Sequence, residues 1–352
     1  MLPRLFLFLS LSLVLIPAGA IADVVEGLYQ ATVTVEDHGA KQLASATRAG
    51  LGQVFIKVSG SSAILEDPEV FDALGRADSF MQQYQYRRVE GDTLELEIQF
   101  DPQLVTDILT QALLPLWTAN RPPVLVWLVV DDASGRNVAS RDAYADLLEV
   151  VKAEFMRRGV PVEFPLYDLQ DTLAVSVHDL WQLDSLSVYG ASRRYKRDDV
   201  LIGRLRETSG DRWMGDWMYL YHNDSRSVTG YGESLDKFVA SGVYIASESM
   251  AARYAVSPTG SAGEGILVRV DGLASFADYR ASQDYLEAVE LVDAAIAEYV
   301  AGDTVVFRVA AQLETEQLQQ LIASKRKLEL QQQFQELETD RPAAALVYQW
   351  NP

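Results

Sequence analysis

Seven apolar residues in a row, Val124-Leu125-Val126-Trp127-Leu128-Val129-Val130, leave little freedom for what surrounds them. A strand wetted on one face alternates polar and apolar residues. This run does not, so both faces need cover, as for a central strand in a parallel or mixed sheet. The residues after it supply that cover. Tyr144, Leu147, Leu148, Val151 and Phe155 recur at helical spacing, and Arg157-Arg158-Gly159 ends that helix with cations and a glycine. Val160-Pro161-Val162 returns as a strand, a helix ends near Tyr195, and Val200-Leu201-Ile202-Gly203 is a second buried strand. Residues 213–221 and 226–232 read as an antiparallel hairpin, and a long helix follows from Leu235 to about Val256.

The flanks read as two further units. Before the run, Tyr29, Ala31, Val33 and Val35 alternate with polar residues, and a helical stripe from Leu43 to Val58 stops at Ser59-Gly60. Tyr84 and Tyr86 start another strand, Glu90-Gly91-Asp92 turns it, and Leu94, Leu96, Ile98 and Phe100 alternate with Glu95, Glu97 and Gln99. Asp101-Pro102 opens a helix whose buried stripe is Leu104, Val105, Ile108, Leu109 and Ala112. That unit is β-α-β-β-α, and Asn120-Arg121-Pro122-Pro123 closes it, since adjacent prolines cannot continue a helix. After the central unit, 258–265 has a linker's composition. A strand at 266–270, a helix opened by Ser275 with Asp278, strands at 292–300 and 304–310 and a helix at Leu318 repeat the first order. The expected fold class is α+β / α/β, with three small mixed-sheet domains at 23–120, 121–257 and 266–330 and a polar tail at 331–352, a frayed helix ending in an extended Leu346-Val347-Tyr348. The chain's 352 residues suit two or three cores.

Met1 to Ala22 has the pattern of a Sec-type signal peptide: Arg4, an apolar run from Leu5 to Ile16, Pro17, then Ala18, Ala20 and Ala22. Cleavage is expected after Ala22 and a periplasmic address follows. The chain has no cysteine, which excludes disulfides, thiolate metal sites, thiol catalysis and a lipoprotein anchor. No later stretch is long and apolar enough for a membrane helix. The net charge of −20 repels nucleic acid and anionic membrane faces. It serves solubility or, alternatively, a basic partner.

The strings YQATVTV…LGQVFIKVSG, LPLWTANRPPVLVWLVVDD and ASRRYKRDDVLIGRL, with the Trp-rich strand after them, resemble the proteobacterial domain-of-unknown-function 2066 family, from about Asp23 to Leu321. That resemblance carries over no catalytic residue and implies a Gram-negative periplasmic protein. The middle segment is similar to the N-terminal α/β module of the Tol–Pal propeller protein, found also in curli-secretion lipoproteins and in activators of peptidoglycan synthases. A β-α-β-β-α unit ahead of such a module is similar to the flagellar T protein. This likeness implies a binding and assembly part, with envelope proteins as partners. The absent cysteine departs from the lipoprotein members.

Catalytic signatures do not emerge. His38, His178 and His222 form no ligand pair, and Gly190-Ala191-Ser192-Arg193-Arg194 lacks the second glycine of a nucleophile elbow and precedes a strand. No Walker sequence occurs, and Gly260, Gly263 and Gly265 lie in the linker. No cofactor is expected. Asp131-Asp132 ends the central strand where α/β sheets bind ligands, either as a polar loop capping the next helix or as a ligand site. Arg193, Arg194, Lys196 and Arg197, around Tyr195, stand out against the acidic background. They read either as a helix C-terminus neutralised by Asp198 and Asp199 or as a contact for an anionic partner. Trp213, Trp217, Tyr219 and Tyr221 share a strand face, as core or as an exposed partner-binding stripe. The reading favoured is a non-catalytic accessory of an envelope assembly, working through sheet edges and interdomain clefts. Its alternatives are a hydrolase of cell-wall material using paired carboxylates, and a small-ligand binding protein.

Overall fold

The structure is a computed structural model, and it describes residues 23–89, 93–208, 212–258, 265–323, 327–331 and 344–351. The leader at 1–22, the turn at 90–92 and most of the linker at 258–265 lie outside the described residues.

The first unit follows β1 (Asp23–Val24) with β2 (Gln30–Val35), α1 (Ala40–Ser59), α2 (Pro68–Gly75), β3 (Met81–Arg88), β4 (Leu94–Phe100) and α3 (Pro102–Gln111). The sheet is antiparallel throughout, in the order β2-β4-β3. Strict alternation along β4 buries Leu94, Leu96, Ile98 and Phe100 against the helices and turns Glu95, Glu97 and Gln99 to the other face. Asp101 caps α3 by accepting from the Gln103 and Leu104 amides at 2.9 and 3.2 Å. Leu104 departs from the expected stripe: it is 42% exposed, because Val105, Ile108 and Leu109 fill the inward face. Gly60 ends α1 at φ +80°, and a Cβ there would sit 2.4 Å from the Ala251 side chain. Conformation and close approach thus both demand glycine.

The central unit contains β5 (Asn120–Arg121), β6 (Val124–Asp132), β7 (Gly135–Val138), α4 (Ala145–Arg157), β8 (Val162–Glu163), α5 (Leu169–Ala174), α6 (Val177–Trp181), α7 (Ser185–Ser192), β9 (Asp199–Thr208), β10 (Arg212–Tyr221), β11 (Asp224–Gly232) and α8 (Leu235–Tyr254). The sheet order is β11-β10-β9-β6-β7, with β8 beside the start of β6. β6 runs parallel to β9 and β8, and the other pairs are antiparallel. Both faces of β6 are covered. Val124, Val126, Leu128 and Val130 pack with α4 and α8. Leu125, Trp127 and Val129 pack with Leu180 of α6 and Val188 and Ala191 of α7. The stretch after Asp132, read as a polar loop, is instead a tight hairpin: β7 pairs with the far half of β6.

The third unit holds β12 (Ile266–Asp271), α9 (Phe276–Glu287), β13 (Val292–Ala301), β14 (Thr304–Ala311), α10 (Thr315–Ala323), β15 (Leu328–Leu330) and β16 (Leu346–Trp350). Its order is β13-β14-β12-β16-β15. The extended end expected at Leu346-Val347-Tyr348 is β16, but it is no tail: it lies inside the sheet, parallel to β12, and buries Leu346, Tyr348 and Trp350 in the core. Alternation over five residues suffices once β12 offers an open side.

The first two units meet around Arg121, which is wholly buried. Its guanidinium donates to the carbonyls of Lys57 (2.7 Å), Trp117 (2.6 Å), Thr118 (2.9 Å) and Gly159 (2.9 Å). It also lies 4.2 Å from the Trp117 ring centre. Lys57 ends α1 and Gly159 follows α4, so one cation closes the negative ends of two helices from different units. Burial lowers its pKa to about 9, so it stays charged at neutral pH. Glu290, from the third unit, opposes that shift. Leu116 and Val256 exchange two backbone hydrogen bonds, at 2.8 and 2.9 Å, beside Trp117 stacked on Tyr254.

Candidate binding surfaces

The basic cluster sits where α7 runs out through a short turn at Arg193–Tyr195. Arg194 forks onto Asp168 at 2.6 and 3.0 Å and reaches Asp171 at 2.8 Å. Asp168 caps α5, and the Arg194 fork holds its carboxyl well below the usual range. Asp171 is fully buried and accepts from the Tyr167 amide and the Tyr195 hydroxyl. Burial, then the bond to Asp171, pushes the Tyr195 hydroxyl up to about 12. Arg197 pairs with Glu163 of β8 at 2.6 Å. Arg193 and Lys196 are exposed. Two of the four cations therefore tie α5 and β8 to the segment between α7 and β9.

The expected neutralising role of Asp199 needs correction. Its carboxylate points inward and is buried. Tyr219 and Tyr254 donate to it, the latter at 2.8 Å, and Arg253 approaches at 3.3 Å. Arg253 in turn lies 3.3 Å from the Tyr221 ring centre. Burial raises the Asp199 pKa despite these donors. The unfolded chain releases this proton near pH 4, while the folded chain holds it to higher pH. Stability from this group therefore falls as pH rises from about 4 through the raised pKa. Asp131, Asp132, Asp168 and Asp179, all lowered, act on the other side, losing their contribution below about pH 4. Asp199→Asn is expected to cost more stability at pH 4 than at pH 7, read from urea denaturation at both. Equal cost at the two would remove this assignment.

The aromatic hairpin is core. Trp217 is wholly buried, Tyr219 nearly so, and Trp213 and Tyr221 pack half-buried against the same cluster. The exposed-stripe reading therefore fails: α8 covers that face, and Trp217 offers no contact to a partner. A Cβ on Gly242 would lie 2.2 Å from the Trp217 ring, and one on Gly203 2.4 Å.

At the carboxyl end of β6, Asp132 accepts from the Ser134 amide (2.8 Å) and hydroxyl (2.6 Å) and from the Tyr144 hydroxyl (2.7 Å). Asp131 takes Arg206 and Arg136, whose guanidinium lies 4.1 Å from the Trp181 ring centre. A groove of about 550 Å³ opens beside Asp132 and Tyr144. Another of about 340 Å³ crosses the polar face of the first sheet at Gln30, Thr32, Gln83, Gln85, Glu97 and Gln99. Each groove carries one carboxylate, so neither meets the paired-acid geometry of the hydrolase alternative. His222 accepts or donates at 3.1 Å with the Tyr189 hydroxyl, and His38 packs on Tyr86.

Two further surfaces stand out, the first without a counterpart in the sequence reading and the second a particular case of the expected sheet edges. One is a set of exposed leucines, Leu166, Leu169, Leu173 and Leu186. The four-residue spacing of Leu169 and Leu173 was the available signal. The other is the edge strand β11, which pairs with β10 over nine residues without a bulge.

A model for a domain of unknown function, DUF8605, matches residues 22–118, the span of the first sheet and its helices. Searches of curated proteins and of solved structures return no match. Among the described residues, no helix is long and apolar enough to cross a membrane.

Proposed function

We propose that this protein is an exported, non-catalytic binding component of a cell-envelope assembly, and that it takes up a partner's strand on the open edge of β11. The observation that carries this is the state of that edge. Of the other outer strands, β3 and β13 carry register shifts, the bulges by which proteins discourage strand addition, and β2 has none but spans six residues against the nine of β11. β11 has none, and from Ser227 to Gly232 it contains neither charge nor proline. Nothing pairs with its outer side among the described residues. Tyr221 and Asp224 close a two-residue hairpin, with His222 at φ +50°. Alternation from that closing pair directs the Ser225, Ser227, Thr229 and Tyr231 amides outward. Strand addition uses such amides and requires no catalytic residue. The leader and the likeness to envelope assembly modules support the location.

Ser227→Pro removes one outward donor while leaving the β10 ladder intact. It is expected to weaken partner capture about tenfold or more. Capture is read by photocrosslinking from Thr229 in the periplasm of a Gram-negative host. Crosslinking that is absent in the wild type, or unchanged by Ser227→Pro, would overturn the reading.

A further inference from the structure

At the far end of β6 the central unit leaves a groove of about 550 Å³, walled by the β6–β7 hairpin, the approach to α4 and parts of residues 167–177. That volume lies within the range of small-molecule pockets, about 300–1,000 Å³. Its place, beyond the carboxyl end of a parallel strand, is where open α/β sheets take ligands. The lining side chains with hydrogen-bonding groups are Asp132, Ser134, Asn137, Ser140, Tyr144 and Tyr167. No lysine, arginine or histidine lines it among the described residues.

These groups are fixed in place but not used up. Asp132 holds the Ser134 amide and hydroxyl and the Tyr144 hydroxyl, three of the roughly four bonds a carboxylate accepts. The Asn137 side-chain amide donates to the Ser134 hydroxyl at 2.9 Å and to the Gly135 carbonyl at 3.3 Å, which leaves its oxygen open. The hydroxyls of Ser140 and Tyr167 make no hydrogen bond among the described residues. Tyr167 stands at φ +54°, the left-handed region that a bulky residue rarely enters. Buried Asp171 holds it there, accepting from the Tyr167 amide at 2.8 Å. Arg194, at 2.8 Å, and the Tyr195 hydroxyl grip Asp171 in turn. The basic cluster thus sets one wall of the groove. Strain kept by such a network is characteristic of places where a side chain has to be aimed.

The lining selects the chemistry of a ligand. An anion would find no cation and would face Asp132. A metal ion would find a single carboxylate, already engaged. A ligand rich in hydroxyls finds acceptors at Asp132 and Asn137, donors at Ser140 and Tyr167, and tyrosine rings for its C–H faces. We propose that this groove is a binding site for a neutral saccharide. It lies at the β7 edge of the sheet, across from β11, so this reading and the strand-addition reading fail independently.

Isothermal titration calorimetry of the full chain with two neutral disaccharides, chitobiose and maltose, tests it. At least one is expected to bind with a Kd of about 1 mM or tighter. Binding of either supports the proposal, and the preference tells an acetamido-bearing glycan from a plain one. Ser140→Ala and Tyr167→Phe should each weaken binding about three- to tenfold, the worth of one hydrogen bond. Their urea midpoints should match the wild type, because neither hydroxyl serves the fold. Ser227→Pro should leave the affinity unchanged. If neither sugar binds, or if both hydroxyl variants bind as the wild type does, the proposal is overturned. Calcium or inorganic phosphate bound in place of sugar, and lost in Asp132→Asn, would overturn it equally.

Discussion

Arg121→Met is expected to lower stability by about 3–5 kcal/mol, the range for stripping one partner from a buried charged network. The loss has two sources. Carbonyls of Lys57, Trp117, Thr118 and Gly159 would lose a charged donor in a place where water does not replace it. The C-terminal ends of α1 and α4 would also face each other without the cation between them. Arg121→Lys should recover only part of the loss, because an ammonium cannot present the fork that reaches all four carbonyls. Urea denaturation of the three proteins measures this. A lysine variant as stable as the wild type would show that charge alone, without the fork, holds the junction. A second readout is Lys57, whose pKa is lowered to about 8 by burial and then by Arg121. Removing the neighbouring cation should move it upward.

Trp217→Ala should cost about 3–5 kcal/mol, as for other buried tryptophans whose cavity cannot collapse. The indole occupies the space that side chains at Gly203 and Gly242 would need. Gly242→Ala sets two effects against each other. Alanine gains about 1 kcal/mol over glycine in a helix interior. A Cβ placed 2.2 Å from the ring forces both α8 and the strand to move, at about 1–3 kcal/mol or more. The clash should win, so the variant is destabilised where an exposed glycine would be improved. In the double variant the missing ring makes room for the methyl, and the combined loss should be smaller than the sum of the singles. Strict additivity in thermal or urea denaturation would show that the two positions do not share that space.

The parts of this fold that were legible are those where one face decides the pattern. The unbroken apolar run of β6, the alternation of β4 and the Asp101-Pro102 start of α3 each state a local rule that tertiary contacts then obey. The parts that were not legible depend on a distant neighbour. Gly135-Arg136-Asn137 has no strand pattern, and only the unpaired end of β6 makes it β7. β16 reads as extended at Leu346-Val347-Tyr348, but its place inside the sheet beside β12 is invisible without that strand. Asp199 stands next to Asp198 in a basic neighbourhood, yet strand alternation turns it to the inside, onto tyrosines from β10 and α8. Arg121 read as part of a boundary because its carbonyl partners come from three separate stretches. The short helices α5 and α6 went unread, although Asp168 and the Ser176 and Asp179 capping box carried their start signals, and His178-Asp179, read as part of a loop, lies in α6. The leucines of α5, Leu169 and Leu173, point outward, against the usual expectation for that residue, while Leu180 of α6 is buried.

The position of β16 also sets a timetable. A chain released from its N-terminal end makes β12, β13 and β14 available well before Leu346 appears. Through that interval one side of β12 has no neighbour, and the hydrophobic layer holding Val268 and Val270 lacks Tyr348 and Trp350. Completion of the third unit therefore waits for β16 to emerge, and the waiting side of β12 is where premature association between nascent chains would begin.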